Sequence, residues 1–436
     1  MKDKKVVIIG GGFAGINLAK YLGGKVGVEV TLVDKNNYNY FTPLLYQVST
    51  GMLDVSSISI PFRTLFKDKT NLNYRLGKLV RVKPEENKVE LTTGELTYDY
   101  LILSHGTRSN FFGMENIKKN ALPMKSISQA VKLRNYLLRE AERYIYTKDE
   151  TEKRKMRNIV ISGAGPSGVE IAGMLAEMRN HILDDVYPEL KREKMNIYLV
   201  DGAPNVLPPM REKSQKYSEK TLKEMGIIVK LNKMVSDYKE DKVHFKDGDT
   251  IETKTLIWTA GVTGIKIDGI PDENYEKGNR IKVNEYFKLE NSDNIYAVGD
   301  ACVLKTDPAF PDGHPQLASV ATQQGKLLGK NLLKVIKGNK PEAFTYNDKG
   351  TMAIIGRSKA VADLTTPKKS LTGWIAWFSW LFVHLFLLIN YRNRISTMWN
   401  WTTAYLSKGQ ASGLLVGKTA NGSMPDLKKQ TKTKSA

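Results

Sequence analysis

Apolar residues in this chain gather into short continuous runs closed by glycine clusters, and one such arrangement occurs twice. Lys5–Ile9 reads as a buried strand, followed by glycines at 10, 12 and 15 and helical spacing to about Tyr21. A second strand, Glu29–Val33, ends on Asp34. Further on, Asn158–Ser162 is a strand, Gly163, Gly165 and Gly168 repeat the spacing, and a helix runs from Val169. It is longer than in the first copy, reaching past Tyr187, and the strand Met195–Val200 ends on Asp201.

Between and after these copies the pattern predicts plainer elements. Asn36–Gly51 is an aromatic, Pro-punctuated loop. Leu76–Leu91 and Leu96–Ser104 read as strands around Thr93-Gly94-Glu95, the second ending in Ser104-His105-Gly106-Thr107. Ser126–Thr147 is helical, with Ala130, Leu133, Leu137 and Ala141 on one face, and Lys148–Arg157 is a charged, solvated connector. Val243–Ile251 forms a hairpin, Thr255–Gly261 is a strand running into a glycine, and Asp293–Val298 is a short strand ending in Gly299-Asp300. Ser370–Tyr391 is apolar on every helical face, with no charged residue between Lys369 and Arg392. Its length alone permits a membrane span. Ile395–Leu406 then places Ile395, Met398, Trp399, Thr402, Tyr405 and Leu406 on one side.

Strand, glycines, helix, strand and acid, in that order, make a dinucleotide site. Gly10 permits the tight turn, Gly12 lets backbone N–H groups approach a pyrophosphate, and Gly15 lets helix and strand pack closely. The helix N-terminus supplies positive dipole, and Asp34 can accept hydrogen bonds from a ribose. Two complete units in one chain imply two dinucleotides. Asp201 suits a ribose 2′-hydroxyl and repels a 2′-phosphate, which favours NADH over NADPH. Gly106 follows a strand at a point where another backbone or a ligand could come close. Asp300 can cap the next helix or bind a ribityl hydroxyl of a flavin. His105 reads as a satisfied polar residue rather than a catalytic base.

Composition narrows the setting. The 436 residues exceed one ordinary core, so several domains are expected. Net charge is +20, spread along the chain without a nucleic-acid module, which points to an anionic membrane surface. The single cysteine, Cys302, excludes an internal disulfide or a C-x-x-C pair and reads as a packing residue. The first apolar run is too short for a signal peptide, so the body is expected in the cytoplasm. Trp374, Trp377, Trp380, Trp399 and Trp401 crowd the C-terminal region, as at a headgroup level. The tail carries Lys408, Lys418, Lys428, Lys429, Lys432 and Lys434 against Asp426. An interfacial anchor with basic flanks fits better than a span or a buried core helix.

The chain resembles the type II NADH:quinone oxidoreductases, single-subunit respiratory flavoproteins with two dinucleotide-binding domains. The resemblance rests on GGGFAG with Asp34, NYFTPLLYQVSTG, GAGPSGVEIAG with Asp201, TLIWTAGV, Gly299-Asp300 and the Trp-rich end with YRNR at Tyr391–Arg394. It implies an α/β fold of two Rossmann-like domains plus a C-terminal helical region seated on one leaflet. Residues 1–115 with 290–340 would hold FAD, 116–289 NADH, 341–406 would meet the membrane, and 407–436 would be a disordered basic tail.

Carried onto this sequence, the FAD site takes Gly10, Gly11, Gly12, Phe13, Ala14, Gly15, Asp34, Lys35, Asn36, Pro43, Val80, Gly106, Gly299, Asp300, Leu317 and Ala318. The NADH site takes Gly163, Gly165, Pro166, Ser167, Gly168, Glu170, Asp201, Ala260 and Gly261, with Glu170 near the reacting rings and catalytic. Ala318–Gly325 resembles the quinone motif A-Q-x-A-x-Q: Ala321 and Gln323 keep it, and Ser319 replaces the first glutamine. Ser104-His105-Gly106 replaces the usual Ala-Thr-Gly. The resemblance further implies a membrane quinone as acceptor, no proton pumping, the cytoplasmic face of the cell membrane and a homodimer. No metal or calcium loop is expected. Rival readings are a ferredoxin or rubredoxin reductase and a non-catalytic NADH-sensing membrane flavoprotein. A sulfide:quinone oxidoreductase needs a cysteine pair that this chain lacks.

Overall fold

The computed structural model describes residues 3–181, Tyr187 and residues 195–407. Strand β1 (Lys4–Ile9) leads through the first glycine turn into α1 (Phe13–Leu22) and β2 (Val28–Asp34). The short helix α2 (Leu45–Ser49) precedes β3 (Leu72–Leu76) and β4 (Tyr100–Leu103). The second motif is carried by β5 (Leu122–Pro123), α3 (Ile127–Tyr146), β6 (Asn158–Ser162), α4 (Pro166–His181) and β7 (Asn196–Val200). β8 (Ile227–Lys230), β9 (Thr255–Trp258) and β10 (Ile295–Ala297) follow, then α5 (Ala318–Ile336). The chain closes with β11 (Thr351–Ile355), β12 (Lys359–Leu364), β13 (Lys369–Thr372), α6 (Gly373–Leu387) and α7 (Tyr391–Ser407).

Two parallel five-stranded sheets organise the molecule, in the orders β10-β4-β1-β2-β3 and β5-β9-β6-β7-β8. β1 pairs in register with β2 through Val6–Val30 and Ile8–Leu32, and with β4 through Val6–Tyr100. β6 sits likewise between β7 and β9. Elements on both faces bury these strands, which is why they read as continuous apolar runs rather than alternating ones. The first sheet regains the chain at β10, far along the sequence. Ile267, Ile270, Ile281, Val283, Phe287 and Leu289, placed by sequence with the second unit, pack in the first core. Val262–Thr263 pairs antiparallel with Arg108–Ser109.

Several expectations need correction. Leu76–Leu91 is not one strand. It contains Leu79–Lys83 and Lys88–Leu91, reversed by a 3-10 turn at Pro84–Glu86 and left-handed Asn87. Leu96–Ser104 splits likewise into Gly94–Thr97 and β4. The charged connector holds a helix, Glu150–Arg157, whose N-terminus Asp149 caps by accepting from the N–H groups of Thr151 and Glu152. The apolar C-terminal run starts as β13, so α6 has 15 residues and covers about 22 Å, short of a hydrocarbon core of about 30 Å. Among the described residues no helix is long and apolar enough to cross a membrane. Past His181 the expected longer helix falls outside the described residues apart from Tyr187, as does the tail beyond Ser407.

Candidate functional site

The two glycine turns are built alike, atom for atom. Gly10 and Gly163 take φ of +102° and +107°, which an L side chain rarely adopts. A Cβ on Gly15 would overlap the Gly10 carbonyl oxygen, and one on Gly168 the Gly163 oxygen. Helix and strand therefore touch only because both positions are glycine. Each acid closes its turn in the same way. Asp34 accepts from the N–H groups of Gly11 (2.7 Å) and Asn36 (2.8 Å), and Asp201 from those of Ala164 (2.6 Å) and Ala203 (2.7 Å). Burial raises the Asp34 pKa against the lowering effect of those N–H groups. Ser104 and Thr259 extend the likeness, each hydroxyl donating to two carbonyl oxygens of its turn: Ile9 and Gly10, Ser162 and Gly163. A sequence signal for this pair existed in Ser104-His105-Gly106 and Thr259-Ala260-Gly261, both ending in a positive-φ glycine.

Around the first turn, the predicted residues gather from distant segments. Gly299 and Asp300 open a 3-10 turn after β10, and Gln324 accepts from the Gly299 N–H at 2.7 Å. Gln324 was missed by sequence reasoning. Ala14 and Ala321 lie against Gly299, and Leu317 and Ala318 form the start of α5, which no side chain caps. Lys125, also missed, reaches to 3.9 Å from Asp300. Gly12 has open space at its Cβ position, and α1 has no side-chain cap, so its first N–H groups are available to a diphosphate. Pro43 opens the 3-10 turn of 42–44 in the aromatic loop. Lys35 and Val80 are exposed, Val80 on the hairpin beyond β3.

Around the second turn, Gly165 and Pro166 are half-buried and Ser167 is exposed, at the start of α4. Glu170 is buried, 8 % exposed, one turn into α4. Burial pushes its pKa well above the ordinary carboxyl value, opposed by a backbone hydrogen bond at Ile354 of β11. Helix α4 packs on α2, where the Tyr46 phenol is pushed up by burial and by the Glu170 charge. The second unit thus packs on the aromatic loop of the first. His105, expected to be satisfied, has Nδ1 buried without a partner, and burial lowers its pKa to about 4 against a backbone hydrogen bond at Ile265.

Comparison with known proteins gives the arrangement its family. The pyridine nucleotide-disulphide oxidoreductase family model matches residues 4–325, and the NDH2 C-terminal domain matches residues 349–408. The type II NADH:quinone oxidoreductase Ndh of Mycobacterium tuberculosis is 32 % identical over 418 residues, covering 92 % of this chain and 88 % of the relative. The chain belongs to the type II NADH:quinone oxidoreductase family. A Haemophilus influenzae type II NADH:quinone oxidoreductase is 28 % identical, covering 83 % of this chain and 87 % of that protein. In fold, NDH2 from Plasmodium falciparum, solved in complex with NADH, aligns with a TM-score of 0.85 at 22 % identity, covering 93 % and 99 % of the two chains.

The name of the broader family includes a disulphide that this type II member does not have. Its one cysteine, Cys302, is buried, and burial pushes the thiol up to about 12. The C-terminal region of this type II chain docks on the aromatic loop. Trp401 Nε1 donates to Gln47 at 2.8 Å, and Trp380 packs against Tyr46. The outward faces stay apolar: Trp374, Phe378, Phe382 and Phe386 on α6, and Ile395, Met398 and Trp399 on α7, are all exposed. The two polar positions of the A-Q-x-A-x-Q stretch are already paired. Ser319 shares a 2.7 Å hydrogen bond with the Tyr346 hydroxyl, and Gln323 donates to and accepts from the Asn347 backbone at 3.0 and 3.1 Å.

Proposed function

We infer that the protein passes two electrons from NADH to a membrane quinone through FAD, without moving protons across the membrane. The observation that carries this is the pair of nucleotide turns in a type II NADH:quinone oxidoreductase fold, joined where α4 packs on α2 and capped by α6 and α7. FAD, when bound, supplies the two-electron relay between NADH and quinone.

In this reading residues 1–115, with the segment around β10 and α5, hold FAD, and the residues around the second sheet hold NADH. With FAD bound, the α1 N-terminus would hold its diphosphate, Asp34 its adenosine ribose and Asp300 its ribityl chain. The α4 N-terminus takes the NADH diphosphate, and Asp201 prefers a ribose hydroxyl to a 2′-phosphate. Glu170 meets the nicotinamide end and orients it, since hydride transfer needs geometry more than acid or base. NADH, quinone and one proton yield NAD and quinol. Ser319 and Gln323 brace the segment 346–347, and Ala321 packs beneath the Asp300 turn, so their part in quinone binding is to shape the wall. The exposed face of α6 and α7 seats the protein on the cytoplasmic leaflet, with basic residues toward anionic headgroups.

Anaerobic stopped-flow absorbance on detergent-purified protein tests the reaction. Fast bleaching of bound flavin by NADH, weak bleaching by NADPH and reoxidation by a short-tailed quinone are expected. Bleaching without quinone reoxidation would hand the acceptor to a soluble iron–sulfur protein or leave a sensor role. For the membrane seat, Phe378→Asp with Phe382→Asp should release the protein from vesicles containing anionic lipid. Undiminished sedimentation with those vesicles would place the contact elsewhere.

A further inference from the structure

An apolar acceptor dissolved in lipid must pass from the exposed face of α6 and α7 to the first nucleotide turn. The two meet through a short row of rings. Phe13, which follows Gly12 directly, meets Phe41 edge-on with centroids 5.7 Å apart, and Phe41 meets His384 of α6 at 6.1 Å. His384 lies flat on Trp380, with centroids 3.9 Å apart and planes 18° apart. Of these four side chains only His384 and Trp380 carry polar atoms.

Their hydrogen bonding is incomplete in a complementary way. His384 Nδ1 lies 2.9 Å from the Trp380 carbonyl oxygen, which can only accept, so Nδ1 carries the proton and Nε2 a lone pair. Nε2 has no hydrogen bond among the described residues. Burial holds the His384 pKa down to about 4, so the imidazole is neutral at physiological pH. Trp380 is fully buried, and its Nε1–H has no partner. A buried donor left unpaired in a close-packed region costs stability, and such groups mark places where a ligand completes the bonding. One unpaired donor and one unpaired acceptor therefore lie on two stacked rings of α6.

We propose that Trp380 Nε1 and His384 Nε2 form the polar end of the quinone head-group site. The indole N–H donates to a ring carbonyl of the quinone, and the imidazole accepts from a hydroxyl of the quinol product. The aromatic rim of Phe41 packs against the flat ring, and the exposed face of α6 leads the apolar tail into lipid. This inference rests on the quinone-reductase reading above and names the side chains that recognise the head group.

The test uses full-length, FAD-loaded protein and separates the two half-reactions. His384→Phe keeps the stacking and removes the acceptor, His384→Asn keeps an acceptor, and Trp380→Phe removes the donor. Reduction by NADH and turnover with ferricyanide, which needs no hydrogen bond, are expected to stay within about twofold of wild type. The KM for a short-tailed benzoquinone is expected to rise roughly tenfold in H384F and in W380F, with partial recovery in H384N. An unchanged quinone KM in H384F and W380F would overturn the proposal. So would equal losses with NADH, ferricyanide and quinone, which would assign both rings to packing alone. If wild-type flavin is bleached by NADH yet not reoxidised by the quinone, the functional reading itself falls, a result distinct from either.

Discussion

The two nucleotide turns share φ angles, carboxylate bonds and a hydroxyl brace, yet their helices serve different neighbours. α1 packs on α5, where a Cβ on Gly325 would overlap the Ala14 carbonyl oxygen. α4 packs on the C-terminal sheet, where a Cβ on Gly173 would crowd the Gly356 N–H at 2.5 Å. Two residues after the third glycine, the first copy has Asn17, which donates to the Phe13 carbonyl of its own helix at 2.8 Å. The second has Glu170, buried, with a backbone hydrogen bond at Ile354. After the strand-end hydroxyl, the first has His105 and the second Ala260. The turn is a local solution that duplicates intact. The copies differ at positions that the turn leaves free.

That comparison can be broken first at the glycines. Gly15→Ala and Gly168→Ala each overpack their turn by ~3 kcal/mol locally. G15A should purify with roughly tenfold less flavin by absorbance, whereas G168A should keep its flavin and be reduced by NADH roughly 100-fold more slowly. Flavin loss from G168A alone would reverse the assignment of the two sites. Next, Glu170→Gln should slow flavin reduction by NADH about tenfold while Asn17→Ala stays within about twofold. Equal effects in stopped-flow would make the positions equivalent and remove Glu170 from the mechanism.

The acids sharpen the comparison further. Asp201→Asn should raise the NADPH-to-NADH ratio of kcat/KM roughly tenfold, and Asp34→Asn should leave that ratio alone. A smaller effect separates His105 from Ala260. The folded His105 pKa is lowered from 6.5 to about 4, so between these values the unfolded chain binds the extra proton. Its contribution to stability is complete above pH 6.5 and is lost as pH falls toward 4. Thermal melts should show a shallower acid decline in His105→Ala, by a few degrees at about pH 4.5. A slope identical to wild type would mean that His105 titrates normally.

How much was legible in sequence follows from the range of each interaction. Gly10, Gly15 and Asp34 are close in sequence and their bonds are made within one βαβ unit, so both turns were readable without a structure. Leu76–Leu91 misled because alternating residues look alike in one long strand and in two short antiparallel ones. Only Pro84 and Asn87 marked the reversal. Glu150–Arg157 was hidden because a polar helix on the surface has no apolar stripe to announce it. Gln324 and Lys125 were missed because their partners, Gly299 and Asp300, lie in another segment.

The C-terminal helices mark the boundary most clearly. Sequence by itself determined that 370–391 is apolar, Trp-rich and uncharged, and that two dinucleotide turns precede it. It could not decide that Trp380 is buried while Phe378 and Phe382 are exposed, since all three are large aromatic residues on one helix. Nor could it show that Ser319 and Gln323 spend their hydrogen bonds on 346–347, or that His384 lies beside Phe41. Those outcomes depend on which surfaces meet once distant segments pack. Backbone geometry writes period and turn into neighbouring residues, whereas the partner of a face is chosen only by the assembled core.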